Sequence, residues 1–256
     1  MEVIMAQRCA ICGAEINLLQ SQKLADGNYI CRKKCKKIGM KSFDYIHATL
    51  PLVLDHNQQV EEGTRMFNAL FLPRKKAKDR SKKLKSFSAH LFVAPDLGLM
   101  ALAEFKYKFF IFGKYCDKAC VFRTGDLYLY DEEKATVVID GKMQTDTYMH
   151  FGFINTCGLS DFYEKCDSHR EVVKYFNQVF GIEKSLKNIG NTWKNQINAV
   201  KSSVAAVKAG IAGDADAADK AARMITSLDV MQYGDRTQIN QRANYVVAAF
   251  RAGQIL

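Results

Sequence analysis

Residues 9–35 read CAICGAEINLLQSQKLADGNYICRKKC, and this stretch decides how the amino end folds. Cys9-x2-Cys12 is followed by eighteen residues and then by Cys31-x3-Cys35. A short spacing of this kind sets two sulfurs on one side of a tight turn, and two such turns can converge on a single tetrahedral ion. A segment of about 35 residues buries too little apolar surface to fold alone, so metal binding supplies the missing stabilisation. One structural Zn²⁺ per chain, held by Cys9, Cys12, Cys31 and Cys35, is the expected occupant; iron in a rubredoxin-like site is the alternative. Four protein ligands leave no open coordination position for catalysis. A thioredoxin-like role for Cys9 and Cys12 is weaker, because no strand-then-helix context surrounds them. Asp26-Gly27 marks a turn between the pairs, and the tail CKKIGMKSFDYI (35–46) reads as a helix with the last ligand near its start.

The same residues resemble a small N-terminal zinc-finger domain of unknown function found in many bacterial and phage multi-domain proteins. Cys9, Cys12, the Lys23-x-x-Asp26-Gly27 turn, Cys31 and Cys35 carry the resemblance, which spans only the finger. In that family the second pair is often Cys-x2-Cys, whereas this chain has Cys-x3-Cys. In similar proteins the finger often precedes a pleckstrin-homology-like β unit. KFFIFGKYCDKACVFRTGDLYLYDEE (108–133), FGFINTC (151–157) and an amphipathic helix at 168–180 look like that order of strands and closing helix. Neither resemblance implies an activity.

Outward from the finger, Val60, Met66, Phe67 and Leu70 give part of an apolar stripe for a helix over 57–71. From Phe87 to about Cys157 the texture is β. FKYKFFIF (105–112) alternates apolar and basic residues, the period of a half-buried strand. Leu127–Tyr130 and Thr136–Ile139 read as two strands separated by a charged turn, DEEK (131–134). Asp140-Gly141 is a hairpin pair, and YMHFGFIN (148–155) one more strand. Such short strands suggest an antiparallel sheet that folds over on itself. Ser168 and Glu171 fit a capping box ahead of VVKYFNQVF. Helical patterns follow at 186–211, from Asp214, and from Asp235 with Gln238 to about Arg251.

The expected class is therefore α+β. A treble-clef-like zinc finger (1–50) leads into a helix and basic linker (51–86), a PH-like β module with a closing helix (87–181) and a helical region (182–256).

Across 256 residues, 37 Lys and Arg stand against 27 Asp and Glu, a formal net charge of +10. Residues 1–86 hold 17 basic and 8 acidic residues, so nearly all the excess lies in the first third. Such an excess favours an acidic partner: nucleic acid, an anionic lipid surface or an acidic protein. Arg32, Lys33 and Lys34, with Lys36, Lys37 and Lys41, crowd the second cysteine pair. They read either as a phosphate-binding face or as cations offsetting a Zn²⁺–thiolate centre of net charge 2−. The run RKKAKDRSKKLK (74–85) supplies Arg74, Lys75, Lys76, Lys78, Arg80, Lys82, Lys83 and Lys85 with one acid and no apolar period. It reads as a solvated linker or as a binder of phosphates or anionic lipid, without interleaved aromatics for base stacking. Lys187, Lys194, Lys201 and Lys208 beside the apolar stripe of the Trp193 helix permit a membrane-surface reading, with core packing favoured.

Cys116-x3-Cys120 with Cys157 and Cys166 could form a second metal site, but these spacings lack a second knuckle and buried small hydrophobes are the favoured reading. His47, His56, His90, His150 and His169 are scattered, and Asp214, Asp216 and Asp219 suit a helix start. No phosphate loop, nucleophile elbow or HExxH motif is present. No apolar run reaches the length of a membrane span, and the start, MEVIMAQRCA, is unlike a signal peptide. A cytoplasmic, non-enzymatic binding or adaptor protein with a protein partner is the expectation, and a nucleic-acid binder working through the basic first third is the alternative.

Overall fold

The computed structural model describes residues 7–79, 81–107, 114–139, 142–154, 159–180 and 236–254. The chain divides into two compact units, one made of residues 1–169 with 240–256 and the other of residues 170–239. Both helices and antiparallel sheets are present, so the class is α+β.

In the first unit, β1 (Gln7–Arg8) pairs with β2 (Glu15–Ile16), and β3 (Ser21–Lys23) with β4 (Tyr29–Cys31), as two small antiparallel ribbons. The tail after Cys35 differs from expectation: residues 36–47 form consecutive turns rather than a helix. Side chains hold them, with Tyr45 Oη donating to Lys36 O at 2.9 Å and the Asp44 carboxylate accepting the Ile46 N–H at 2.9 Å.

Helix α1 (Leu50–Met66) begins seven residues before the apolar stripe suggested, with Thr49 at its N-cap and Pro51 in its first turn. Thr49 makes no side-chain cap bond. Asp26, from the turn between the cysteine pairs, accepts the Leu50 N–H at 2.7 Å and the Asn28 N–H at 3.1 Å instead. Gly27 beside it sits at φ +83°, a conformation that suits glycine. Past Met66 the helix widens into a π turn, Phe67–Phe71.

β5 (Lys85–Ser86), β6 (Leu91–Ala94), β7 (Leu99–Tyr107) and β8 (Lys114–Arg123) form a four-stranded sheet in sequence order. β7 starts well before the alternating stretch read as a strand, and its first five residues, LMALA, are all buried. Phe105 lies towards its exposed end, and residues 108–113 lie outside the described ones. The sheet is covered on both faces, so its central strand reads as a continuous apolar run rather than as alternation. On one face Leu99, Ala101 and Ala103 meet Met66, Phe67, Leu70 and Phe71, together with Ala243 and Val246 of α3 (236–251). On the other, Phe122 of β8 stacks at 4.3 Å on Phe153 of the second sheet.

That second sheet has the order β11 (Asp161–Glu164), β10 (Lys142–Phe153), β9 (Leu127–Ile139). Two expected strands are one here. β9 runs unbroken through DEEK, with Asp131 opposite His150 and Lys134 opposite Thr147. The charges sit in a strand because histidines meet them: His150 on β10 lies 2.9 Å from Glu133, and His169, outside the sheet, lies 3.2 Å from Glu132. Ile139 pairs with Lys142, so β9 and β10 join across Asp140-Gly141, which lie outside the described residues.

Helix α2 (His169–Val179), whose residues from Arg170 on belong to the second unit, occupies the place expected for the 168–180 helix and buries Val172, Tyr175 and Phe176. The patterns at 186–211 and from Asp214, the Trp193 helix with its four lysines, and the capping residue Asp235 lie outside the described residues. Among the described residues, no helix is long and apolar enough to cross a membrane.

Candidate metal centre

The first cysteine pair lies in the turn between β1 and β2. Cys9 N–H donates to Ala14 O and Gly13 N–H to Cys9 O, both at 2.8 Å, and Ala10 N–H donates to Tyr29 O at 2.8 Å, fastening the turn to β4. The second pair begins on Cys31, the last residue of β4, and ends in the turn after it. Cys35 N–H points at Cys31 Sγ at 3.2 Å, and Lys36 N–H closes the turn on Cys31 O at 3.0 Å. The two turns meet where Cys31 N–H points at Cys9 Sγ at 3.3 Å.

The four sulfurs lie within 4.8 Å of one another, with Cys9, Cys31 and Cys35 buried and Cys12 exposed. Cys9 Sγ is 3.6 Å from Cys35 Sγ, and Cys12 Sγ is 3.8 Å from Cys31 Sγ. A tetrahedron built on metal–sulfur bonds of about 2.3 Å has sulfur–sulfur edges of about 3.8 Å, so this donor set has the size such an ion requires. The electrostatics agree. Burial works against ionising Cys9, but the N–H groups of Cys12, Cys31 and Ile11 outweigh it and bring the thiol down to about 6. Burial, together with the neighbouring sulfurs, pushes Cys35 up. Sulfurs this close cannot all ionise unless a cation lies among them. Four cysteines this close can hold a metal ion, and a structural metal-binding domain is what they suggest.

Two residues lie behind the centre, His56, which the sequence reading leaves among the scattered histidines, and Asn57, which it does not single out. His56 Nε2 accepts the Met40 N–H at 3.0 Å while its ring stacks on Phe43 at 4.0 Å, and Asn57 Nδ2 donates to Cys35 O at 3.4 Å. Both are buried on α1. The signal was present: Val53, His56, Asn57 and Val60 fall at i, i+3, i+4 and i+7, which sets a polar pair on a buried face.

The basic candidates separate into groups. Arg32, Lys33 and Lys34 are exposed beside the second pair. Lys36 is held inward, with Nζ on Gln22 Oε1 at 2.9 Å and 5.2 Å from the centre of the Tyr45 ring. The 74–85 run is no featureless linker. Arg74 grips both oxygens of Asp96 at 3.0 and 2.8 Å and donates to Leu70 O at 2.6 Å. Leu84 packs against the sheet core, and Lys85 pairs with Val93 in β5. Lys75, Lys76, Lys78, Lys82 and Lys83 are exposed, while Arg80 lies outside the described residues.

Cys116, Cys120 and Cys166 are buried and separate from the cluster, and Cys157 lies outside the described residues. Burial pushes the Cys116 and Cys166 thiols up to about 12 and raises Cys120 as well, which keeps them protonated. Among the described residues the four N-terminal cysteines form the one group suited to a metal.

Residues 7–50 match a family described as a domain of unknown function, DUF4428. The match ends where α1 begins and takes in all four clustered cysteines. No curated protein and no solved structure matches the chain.

Proposed function

We propose that Cys9, Cys12, Cys31 and Cys35 hold one structural Zn²⁺, and that the chain is a non-enzymatic binding or adaptor protein working in the cytoplasm. The observation that supports this reading is the sulfur cluster itself, whose edges of 3.6 and 3.8 Å match a tetrahedral thiolate site. Zinc is favoured over iron because four thiolates are the ordinary donor set of a structural zinc, a d¹⁰ ion with no redox chemistry of its own. Bound zinc orders the two turns. A treble-clef-like finger is kept in this reading through its two knuckles and hairpin, with the last ligand in a turn rather than in a helix. The two β-sheets serve as a PH-like recognition module for a protein partner.

Metal analysis of the purified full chain tests the centre. One zinc per chain is expected, falling to none in Cys31→Ser with Cys35→Ser. Recovery of partners with and without nuclease tests the adaptor role, since protein-held partners survive digestion.

A second reading, nucleic-acid binding through the basic first third, is favoured by the exposure of Lys75, Lys76, Lys78, Lys82 and Lys83. Changing these five to Gln should weaken heparin retention if that reading holds. Arg74, engaged with Asp96, contributes to the fold instead.

A further inference from the structure

We propose that the finger docks on an anionic lipid bilayer, inserting Leu18 and Leu19 between headgroups that Arg32, Lys33 and Lys34 hold from the side. The inference rests on the metal-braced finger reading and names the partner of that module. Leu18–Gln20 forms a single 3-10 turn between β2 and β3. Asn17 Oδ1 accepts the Gln20 N–H at 3.0 Å, and Ser21 Oγ donates to Leu18 O at 3.0 Å, so the turn is built to hold its shape. The two leucine side chains take no part in that construction, and the residues stand 61% and 87% exposed while the finger core closes without them.

The cations are adjacent. Arg32 N–H donates to Gln20 O at 2.8 Å, which sets the second knuckle directly beside the leucine turn. Arg32, Lys33 and Lys34 follow one another there, exposed and with no ion-pair partner among the described residues. Glu15, the acid on β2, lies 3.8 Å from Arg8. Residues 7–50 carry eight basic and three acidic side chains. An apolar tip flanked by unpaired cations complements a surface whose interior is hydrocarbon and whose face is negative. Nucleic acid fits less well. It gives two leucines nothing to enter, and Tyr29, Phe43 and Tyr45 pack in the finger core rather than forming a stacking platform.

Flotation of the full chain with phosphatidylcholine vesicles, with and without added phosphatidylglycerol, tests this, with metal content measured on every sample. Binding only to the anionic vesicles is expected. Leu18→Ser with Leu19→Ser should weaken it about tenfold at unchanged metal content. Arg32→Gln, Lys33→Gln and Lys34→Gln should cost about fivefold each and flatten the salt dependence. Metal-loaded chain that fails to float overturns the proposal, and so does binding unchanged in the leucine variant. So, too, does nucleic-acid retention that needs the three cations and ignores the leucines. Chain purified without any metal would overturn the zinc reading on which the proposal stands.

Discussion

His56 shows what one buried polar residue can do at the junction of finger and helix. It is fully buried, its Nε2 accepts the Met40 N–H, and its Nδ1 finds no partner among the described residues. Burial first, and then the positive charge of Lys118, bring its pKa down to about 4. An unfolded chain restores it to about 6.5. Between these values the unfolded state binds the extra proton, so the contribution of neutral His56 is complete above pH 6.5 and drains away as the pH falls towards 4. That loss is worth about 3 kcal/mol at most. His56→Phe keeps a ring against Phe43 but leaves the Met40 N–H unpaired in the interior, a cost of about 1–3 kcal/mol near neutrality. Phenylalanine cannot titrate. The gap in urea midpoint between wild type and variant should therefore be widest at pH 7.5 and narrow by pH 5. A gap that stays constant with pH would show that the imidazole is not the buried neutral group described here.

At the scale of elements, α1 lies against β8 closely enough to replace the missing neighbour of a strand. Thr64 Oγ1 accepts the Ala119 N–H at 3.0 Å and donates to Val60 O at 2.6 Å. Gly63 permits the approach: a Cβ there would stand 2.3 Å from Ala119 O. Gly63→Ala should cost about 1–3 kcal/mol through forced separation of helix and strand. Thr64→Val, which leaves the strand N–H without an acceptor, should cost about as much, and Thr64→Ser should recover most of that loss. Denaturant midpoints measure all three. The second sheet has a different joint. His150 on β10 reaches Glu133 on β9 at 2.9 Å and Asp161 on β11 at 3.3 Å, with the Tyr163 ring stacked 4.3 Å away. Partial burial lowers its pKa, but the two carboxylates outweigh it and leave the pKa raised. Here the sign is the reverse of that at His56. The stabilisation is complete below the unfolded value and is lost as the pH rises through the folded one. Titration of His150 by NMR should show a midpoint above the ordinary histidine value, and Glu133→Gln should lower it. These joints also explain what the sequence hid. DEEK reads as a turn because its partners, His150 on β10 and His169 at the start of α2, lie far along the chain. LMALA carried no period because both of its faces are covered.

For the whole molecule, what could be read in advance was local, and what could not was the pairing of distant segments. Two knuckles separated by eighteen residues point to a cluster because each short spacing turns two sulfurs to one side. That α1 would carry Val53 into the finger core and Phe67 into the sheet core required knowing what lay on each side of it. The two cores are separate apolar clusters joined by that helix and by a few polar ties, among them Lys41 N–H to Glu104 at 2.7 Å and Lys118 Nζ to Gly39 O at 2.5 Å. The sheet core has its own closure at the carboxyl side. Arg251 of α3 grips Glu62 of α1 at 2.5 and 2.9 Å, and Asn240 donates to Asp126 at 2.9 Å. On the proposed reading the finger depends on its metal, whereas the sheet core rests on ring contacts such as Phe67–Phe92 at 5.4 Å. Removing metal with a strong chelator should therefore divide the chain into a part that opens and a part that stays folded. Hydrogen exchange should accelerate over residues 7–48 and at the start of α1, while β6, β7 and the second half of β8 keep their protection. If chelation instead exposed the sheet amides together with the finger, α1 would be transmitting the loss, and the two cores would form one cooperative body.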